Sequence, residues 1–255
     1  MCLVLATVCG CGYPLATYGP MSASDARGIL RQRAEGIKTV SAQADVVLSR
    51  SNGQGVQLDA VLVMRPPDSL HLRAWKLGQA VLDLTITPQG AWLMQPPPPS
   101  TDGSPAPTTA PASDPFDQPG VGHGLAATWS LLSGGMFVGD APEMDQARDI
   151  GSRFEFRRVQ SDGMSVVCDV DKHTITPTQY RLYDADGIQQ FELTLDDYAN
   201  NSGIDWPMKI VARQLGTGQG AGSANSIEVD FHKVELNTDL PDGAFVPPRR
   251  ARKLP

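Results

Sequence analysis

Short segments in which apolar and polar residues alternate run through most of this chain, and they constrain its fold more than any other feature. In one of them Phe191, Leu193 and Leu195 alternate with Glu192 and Thr194. A period of two residues is typical of a β-strand with one buried and one solvated face. About eleven such segments occur, separated by turns such as SNGQG, PQG and DADG. The pattern predicts a mainly β protein built as an antiparallel meander.

Two helical segments interrupt the predicted strands. Residues 22–39 place apolar side chains at helical spacing after a capping serine, and residues 124–137 form a second segment with one apolar face. A long meander with open edges is disfavoured unless it curls or closes. We therefore predict one α+β domain over residues 22–248. It is a curled, incomplete antiparallel β-barrel, with the two helices as a lid over an apolar cavity.

Two stretches of the chain do not fit this pattern. Residues 95–119 carry nine of the 21 prolines and almost no apolar side chains, which predicts a surface insertion with polyproline character. We interpret it as a flexible loop; the alternative is a docking ligand for a partner. Residues 249–255 form a basic tail, expected to be a solvated terminus. The alternative is weak attraction of this tail to an anionic membrane surface.

The first eleven residues hold three of the four cysteines. They are mostly apolar, and the segment VCGC ending at Cys11 resembles a bacterial lipobox, which predicts a signal peptide over residues 1–11 and acylation of Cys11. Residues 12–21 are then a short tether. No Lys or Arg precedes Cys11, so either the start lies upstream of Met1 or the segment is not a signal. The alternative is a disordered terminus with chance cysteines.

Signatures of catalysis are absent from the sequence. The four histidines lie on separate segments, the spacing offers no metal site, and neither a nucleophile elbow nor a phosphate-binding loop followed by a helix occurs. Cys168 alternates with apolar neighbours, as a small core residue does. The net charge of −7 does not favour nucleic-acid binding. We therefore expect a protein that is not an enzyme and has no cofactor, no metal and no nucleic-acid partner.

The order of the segments resembles that of the LolA/LolB family of bacterial lipoprotein carriers and acceptors. It consists of an N-terminal helix followed by IKTVSAQADVVLS, a strand pair within AVLVMRPPDSLHLRAWKLGQAVLDLTITPQGAWLM, a mid-chain helix, WPMKIVA and a closing GAFVPP. The resemblance implies an incomplete barrel whose cavity holds acyl chains. The LolB branch is favoured because its members are themselves lipoproteins. It implies that Leu77, within RAWKLGQAV, inserts into membranes; the alternative is an ordinary hairpin with a half-buried leucine.

The function expected from this resemblance is acyl-chain binding by a lipid-anchored periplasmic monomer that serves the outer membrane. Gly12 after Cys11 is compatible with that membrane, and a periplasmic carrier protein is a further possible partner. Trp129 and Leu132 are the predicted lid residues. The alternative is a structural or interaction lipoprotein whose barrel is filled by its own side chains; a hydrolase hidden by divergence would need a buried carboxylate or histidine facing the cavity. The predicted cavity lining is Leu58, Leu62, Met64, Leu70, Leu72, Leu82, Leu84, Ile86, Phe191, Leu193 and Phe231.

Overall fold

The computed structural model describes residues 15–49, 55–94, 146–201, 203–215 and 225–253. Within these ranges the chain forms one α-helix, α1 (Ala23–Gly36), and thirteen β-strands. The strands are β1 (Val40–Ser49), β2 (Gly55–Arg65), β3 (Ser69–Lys76), β4 (Gln79–Thr87), β5 (Gly90–Met94), β6 (Gln146–Ile150), β7 (Arg153–Val159), β8 (Ser165–Asp171), β9 (Pro177–Tyr183), β10 (Gln189–Asn201), β11 (Ile204–Gln214), β12 (Asn225–Leu236) and β13 (Arg252–Lys253).

All thirteen strands belong to one antiparallel sheet with the order β13-β5-β4-β3-β2-β1-β12-β11-β10-β9-β8-β7-β6. Two runs of chain neighbours, β1 to β5 and β6 to β12, meet where β1 pairs with β12. The order is linear, so the sheet formed by the described strands is not closed. The mainly β class and the antiparallel meander predicted from the sequence are therefore present.

The strand count differs from the expected eleven because two strands carry no apolar alternation. β6 has the sequence QARDI and is exposed at every residue, so no buried face marks it. β13 consists of Arg252 and Lys253, within the tail that we expected to be solvated, and it pairs with β5. The second predicted helix, residues 124–137, and the proline-rich residues 95–119 lie outside the described residues, as do residues 1–14.

Helix α1 begins as its sequence predicts. The hydroxyl of Ser22 accepts a hydrogen bond from the Asp25 backbone N–H, and the Asp25 carboxylate accepts one from the Ser22 backbone, which forms a capping box. The helix ends at Gly36, before the expected Thr39. Lys38 and Thr39 are instead held by hydrogen bonds to Asn237 and to the Thr238 carbonyl. These two bonds align the chain with the end of β12, so β1 starts at once.

The core lies on one face of the sheet. Its largest fully buried aromatic side chains are Trp206, Tyr180, Phe154 and Phe156, and the Trp206 and Phe231 rings meet edge to face at 6.3 Å between centroids. The apolar cluster on this face spans both runs of strands and includes residues of α1. Among the described residues, no helix has the length and apolar character needed to cross a membrane.

Candidate functional site

Strand register assembles the predicted lining residues of β2, β3 and β4 into continuous rows. Leu62 lies opposite Leu72, which lies opposite Leu84. A parallel row joins Met64, Leu70 and Ile86 in the same way; Leu58 lies opposite Val46, and Leu82 opposite Ala74. Since cross-strand partners in an antiparallel sheet project to the same face, these side chains share one apolar face.

The same face continues into the other run of strands. Leu193 of β10 lies opposite Tyr180 of β9, and Phe231 of β12 lies opposite Ala44 of β1. Phe191, two residues before Leu193, is buried beside them. We call the whole surface the apolar face: the eleven predicted lining residues together with the buried side chains between them.

The apolar face is tightly covered. Every predicted lining residue is buried except Ile86, which is partly buried against the core. Beneath α1, the described residues leave a cavity of about 20 Å³ beside Leu30, Tyr198 and Ile204, which is room for about one water molecule. This cavity is too small for an acyl chain, so binding of such a ligand there requires movement of whatever lies over the face.

Helix α1 lies over part of this face with a small apolar contact. Ala26 and Leu30 are its buried residues, while Ala23 and Ile29 are partly buried against the core. The Arg27 guanidinium lies 5.4 Å from the centre of the Phe156 ring. Ala26 and Leu30 are a modest anchorage for a helix of 14 residues, because full burial of a leucine contributes about 1.5–3 kcal/mol and the single methyl group of alanine contributes less.

Arg33 supplies the polar part of this anchorage. Its guanidinium lies 2.8 Å from the Asp205 carboxylate and donates to the Ile175 carbonyl at 2.7 Å and the Thr174 carbonyl at 3.3 Å. It also lies over the Tyr18 ring, 5.7 Å from the centroid. We did not predict this site. Its signal is visible in the sequence, since Arg33 is the charged residue at helical spacing among Ala26, Leu30 and Ile37.

Leu77 occupies the tip of the β3–β4 hairpin and is 94% exposed. It is therefore not half-buried, which was the alternative expectation for this residue. Leu77 and Gly78 both have positive φ, at 51° and 77°, as in the type I′ turns that join two-residue hairpins. Leucine rarely adopts this conformation, which costs roughly 1–2 kcal/mol for a residue with a Cβ. The hairpin thus presents a large apolar side chain to solvent at a strained position.

Three predicted site residues cannot be placed relative to the apolar face. Cys11, Trp129 and Leu132 lie outside the described residues, so acylation and the second half of the lid stay predictions. Cys168 is fully buried, and burial raises the pKa of its thiol far above the ordinary value. A thiol that stays protonated is a poor nucleophile, which fits the expectation that Cys168 is a core residue.

The outer face of the sheet also carries a buried carboxylate. Asp169 is 1% exposed and accepts two hydrogen bonds from one Arg181 nitrogen, at 2.9 and 3.0 Å. Arg153 and Glu155 lie nearby. Burial raises the pKa of Asp169, against the opposing effect of the two arginines. Asp169 therefore belongs to a polar cluster on the outer face and does not face the apolar side.

No protein-family model and no curated protein sequence matches the chain. Solved structures do match. A LolA superfamily protein from Nitrosomonas europaea superposes with a TM-score of 0.53 at 12% identity, covering 86% of this chain and 97% of that one. The chain has a LolA-like fold. A DUF1329 family protein from Desulfovibrio piger matches with a TM-score of 0.56 at 11% identity, covering 87% and 94%.

A third solved structure also matches the chain. A candidate outer membrane lipoprotein-sorting protein domain from Vibrio parahaemolyticus has a TM-score of 0.52 at 14% identity, covering 87% of this chain and 95% of that one. The predicted resemblance to the LolA/LolB family is thus confirmed for the fold. Greater closeness to the LolB branch stays a prediction.

Proposed function

We propose that this protein binds the acyl chains of lipoproteins or lipids on the apolar face and passes them to the outer membrane of a bacterial envelope. The observation that carries the proposal is the continuous apolar face of an unclosed sheet, over which α1 is held by two buried side chains and one polar anchor. The shared fold with a candidate lipoprotein-sorting domain supports it.

Binding in this proposal begins with displacement of α1. Breaking the Arg33 contacts and withdrawing Ala26 and Leu30 would uncover the part of the apolar face beside Phe156 of β7 and around the small cavity at Tyr198 and Ile204. An acyl chain would then replace the helix, and each buried methylene would contribute about 0.8 kcal/mol. Transfer follows the relative affinities of donor and acceptor, so no nucleotide is required. We accordingly propose a non-enzymatic role, without a cofactor.

In this proposal two residues, Cys11 and Leu77, contact the membrane that receives the cargo. We propose that Cys11 carries a lipid anchor and that Leu77 inserts at the bilayer surface, as the resemblance to LolB implies. Support for the second assignment comes from the 94% exposure of Leu77 at the tip of a two-residue turn. Replacing Leu77 by Ser should slow transfer of a labelled lipoprotein to vesicles and leave uptake of the acyl chain unchanged.

The decisive experiment compares adjacent residues of β2 that project to opposite faces. Leu62 is buried on the apolar face at 2% exposure, whereas Val61 is 38% exposed on the outer face. The full chain carrying Cys11→Ser would be mixed with a diacylated lipopeptide and analysed by native mass spectrometry. We expect a bound species that Leu62→Glu abolishes and Val61→Glu retains. Binding that neither variant changes would refute the proposed face.

A second measurement covers the case in which Leu62→Glu does not fold. A photoactivatable fatty acid would be crosslinked to the otherwise unaltered protein and the labelled peptides mapped. Label on Leu72 or Leu84 supports the proposal. Absence of uptake, or label confined to the outer face, would favour the alternative of a structural lipoprotein whose interior is filled, for which the burial of the lining residues is the supporting observation.

A further inference from the structure

At one edge of the sheet, the chain's own C-terminal segment pairs with β5. Arg252 lies opposite Leu93 and Lys253 opposite Trp92, so β13 adds to β5 as an antiparallel strand of two residues. The Lys253 ammonium lies 5.5 Å from the centre of the Trp92 ring, within the range of a cation–π contact. The edge of β5 thus accepts an added strand and holds a basic side chain on an aromatic ring.

The absence of a side chain at Gly90 makes room for the same basic side chain. A Cβ at this position would lie 2.5 Å from Cε of Lys253, closer than a side chain allows, and the φ of Gly90 is 140°. Glycine therefore leaves the space through which the lysine stem passes. Together, Gly90 and Trp92 form a seat for a Lys or Arg side chain on the edge of β5.

A groove continues from this edge. Its volume is about 390 Å³, and it lies between the β4–β5 turn and the segment Leu240–Val246. Val246 is 68% exposed there, and Phe245 is held by the Arg65 guanidinium at 5.2 Å from its ring centroid. Because β13 runs antiparallel to β5, a strand continuing in its direction passes Ala91 and Gly90 and reaches the groove at Gln89.

We propose that the edge of β5 and this groove form a binding site for an extended basic peptide of a partner protein. The peptide adds as a strand in place of β13, its Lys or Arg takes the seat on Trp92, and the following residues enter the groove. Exposed strand edges bind other chains in this way, with backbone hydrogen bonds for affinity and side-chain seats for specificity. A two-residue strand is short enough to be displaced, and the net charge of −7 attracts a cationic partner.

The test uses the full chain with its own strand disabled. Arg252→Pro and Lys253→Pro together remove two backbone N–H donors and both cationic side chains. A fluorescent peptide consisting of PRRARKLP, residues 248–255, followed by two alanines that carry it past Gly90 to Gln89, is titrated and followed by anisotropy. We expect the double variant to bind the peptide at least tenfold more tightly than the unaltered protein, because β13 no longer competes. Adding Trp92→Ala to the double variant should weaken binding at least tenfold.

A matched peptide separates strand addition from simple charge attraction. Methylation of the backbone nitrogens at the two positions of β13 keeps every charge but blocks pairing, so this peptide should not bind. Equal binding of the two peptides, or no binding by a double variant that remains folded by circular dichroism, would overturn the proposal. If the double variant does not fold, Lys253→Glu replaces it with the same expectations.

Discussion

The Arg33 guanidinium and the Asp205 carboxylate form an ion pair at 2.8 Å that joins α1 to the start of β11. The Asp205 side chain is 2% exposed and that of Arg33 is 16% exposed, so both groups are largely removed from water. The same arginine satisfies two backbone carbonyls of the β8–β9 connection. One side chain therefore ties the helix to two separate parts of the sheet.

Replacing Arg33 by Met should lower the free energy of unfolding by about 3 kcal/mol, since it leaves the Asp205 carboxylate buried beside unpaired carbonyls. Urea denaturation measures this loss. The double variant Arg33→Met/Asp205→Asn should be more stable than Arg33→Met alone by roughly 1 kcal/mol, because the buried charge is gone. Equal stability of these two variants would show that the unpaired Asp205 carboxylate is not the cause of the loss.

The raised pKa of Asp169 predicts how stability depends on pH. When the pKa of an acid is higher in the folded than in the unfolded state, the folded state binds the proton more tightly, so stability falls as pH rises from the ordinary value of 3.8 to the folded value. Asp169→Asn keeps an acceptor for Arg181 but does not ionise. We expect its unfolding free energy to fall less over that interval, measured by urea titrations at several pH values. A profile identical to that of the unaltered protein would contradict this origin of the slope.

Relief of strain at the β3–β4 turn should stabilise the protein. Leu77→Asn should raise the free energy of unfolding by about 0.5–1 kcal/mol, since asparagine tolerates positive φ better and the leucine buries almost nothing. Leu77→Ala is the control: it removes the apolar side chain but retains the strain, so it should change thermal stability by no more than a few tenths of a kcal/mol. A gain of similar size in both variants would exclude the backbone as the cause.

The capping box of α1 gives a further quantitative expectation. Ser22→Ala should lower the unfolding free energy by about 1 kcal/mol, because the Asp25 backbone N–H loses its acceptor. Ser24, exposed in the first turn, is the matched control, and Ser24→Ala should have no more than a small effect. Chemical denaturation of the two variants side by side distinguishes loss of the cap from a general effect of removing a hydroxyl.

Alternation in the sequence was sufficient to predict the apolar face, but it did not predict the polar contacts and edge strands around that face. Residues such as Leu62 and Leu84 follow a period of two, and burial of one face of an antiparallel strand requires that period. β6 escaped prediction because it is exposed on every residue, so backbone pairing with β7 alone defines it. The contact of Lys253 with Trp92 was not predicted either, because the two residues are far apart in the sequence.

Exposure at the β3–β4 turn was equally hard to predict. A type I′ turn is usually recognised in a sequence by Asn or Gly at its first central position. Here that position holds Leu77. The sequence therefore showed an apolar residue beside Gly78 and left its burial open. Only the pairing of Lys76 with Gln79 fixes a two-residue loop, which turns the leucine outward.

The pairing of β1 with β12 has a consequence for how the chain folds. Every other pairing described, apart from that of β13 with β5, joins strands that follow each other along the chain. Hairpins of this kind close short loops and form quickly. Joining β1 to β12 instead brings together strands that are far apart in the sequence, and this step must overcome a large loop-closure entropy. Each run of strands can therefore organise early, and the seam at Val46 and Val229 is expected to form late and to govern the refolding rate.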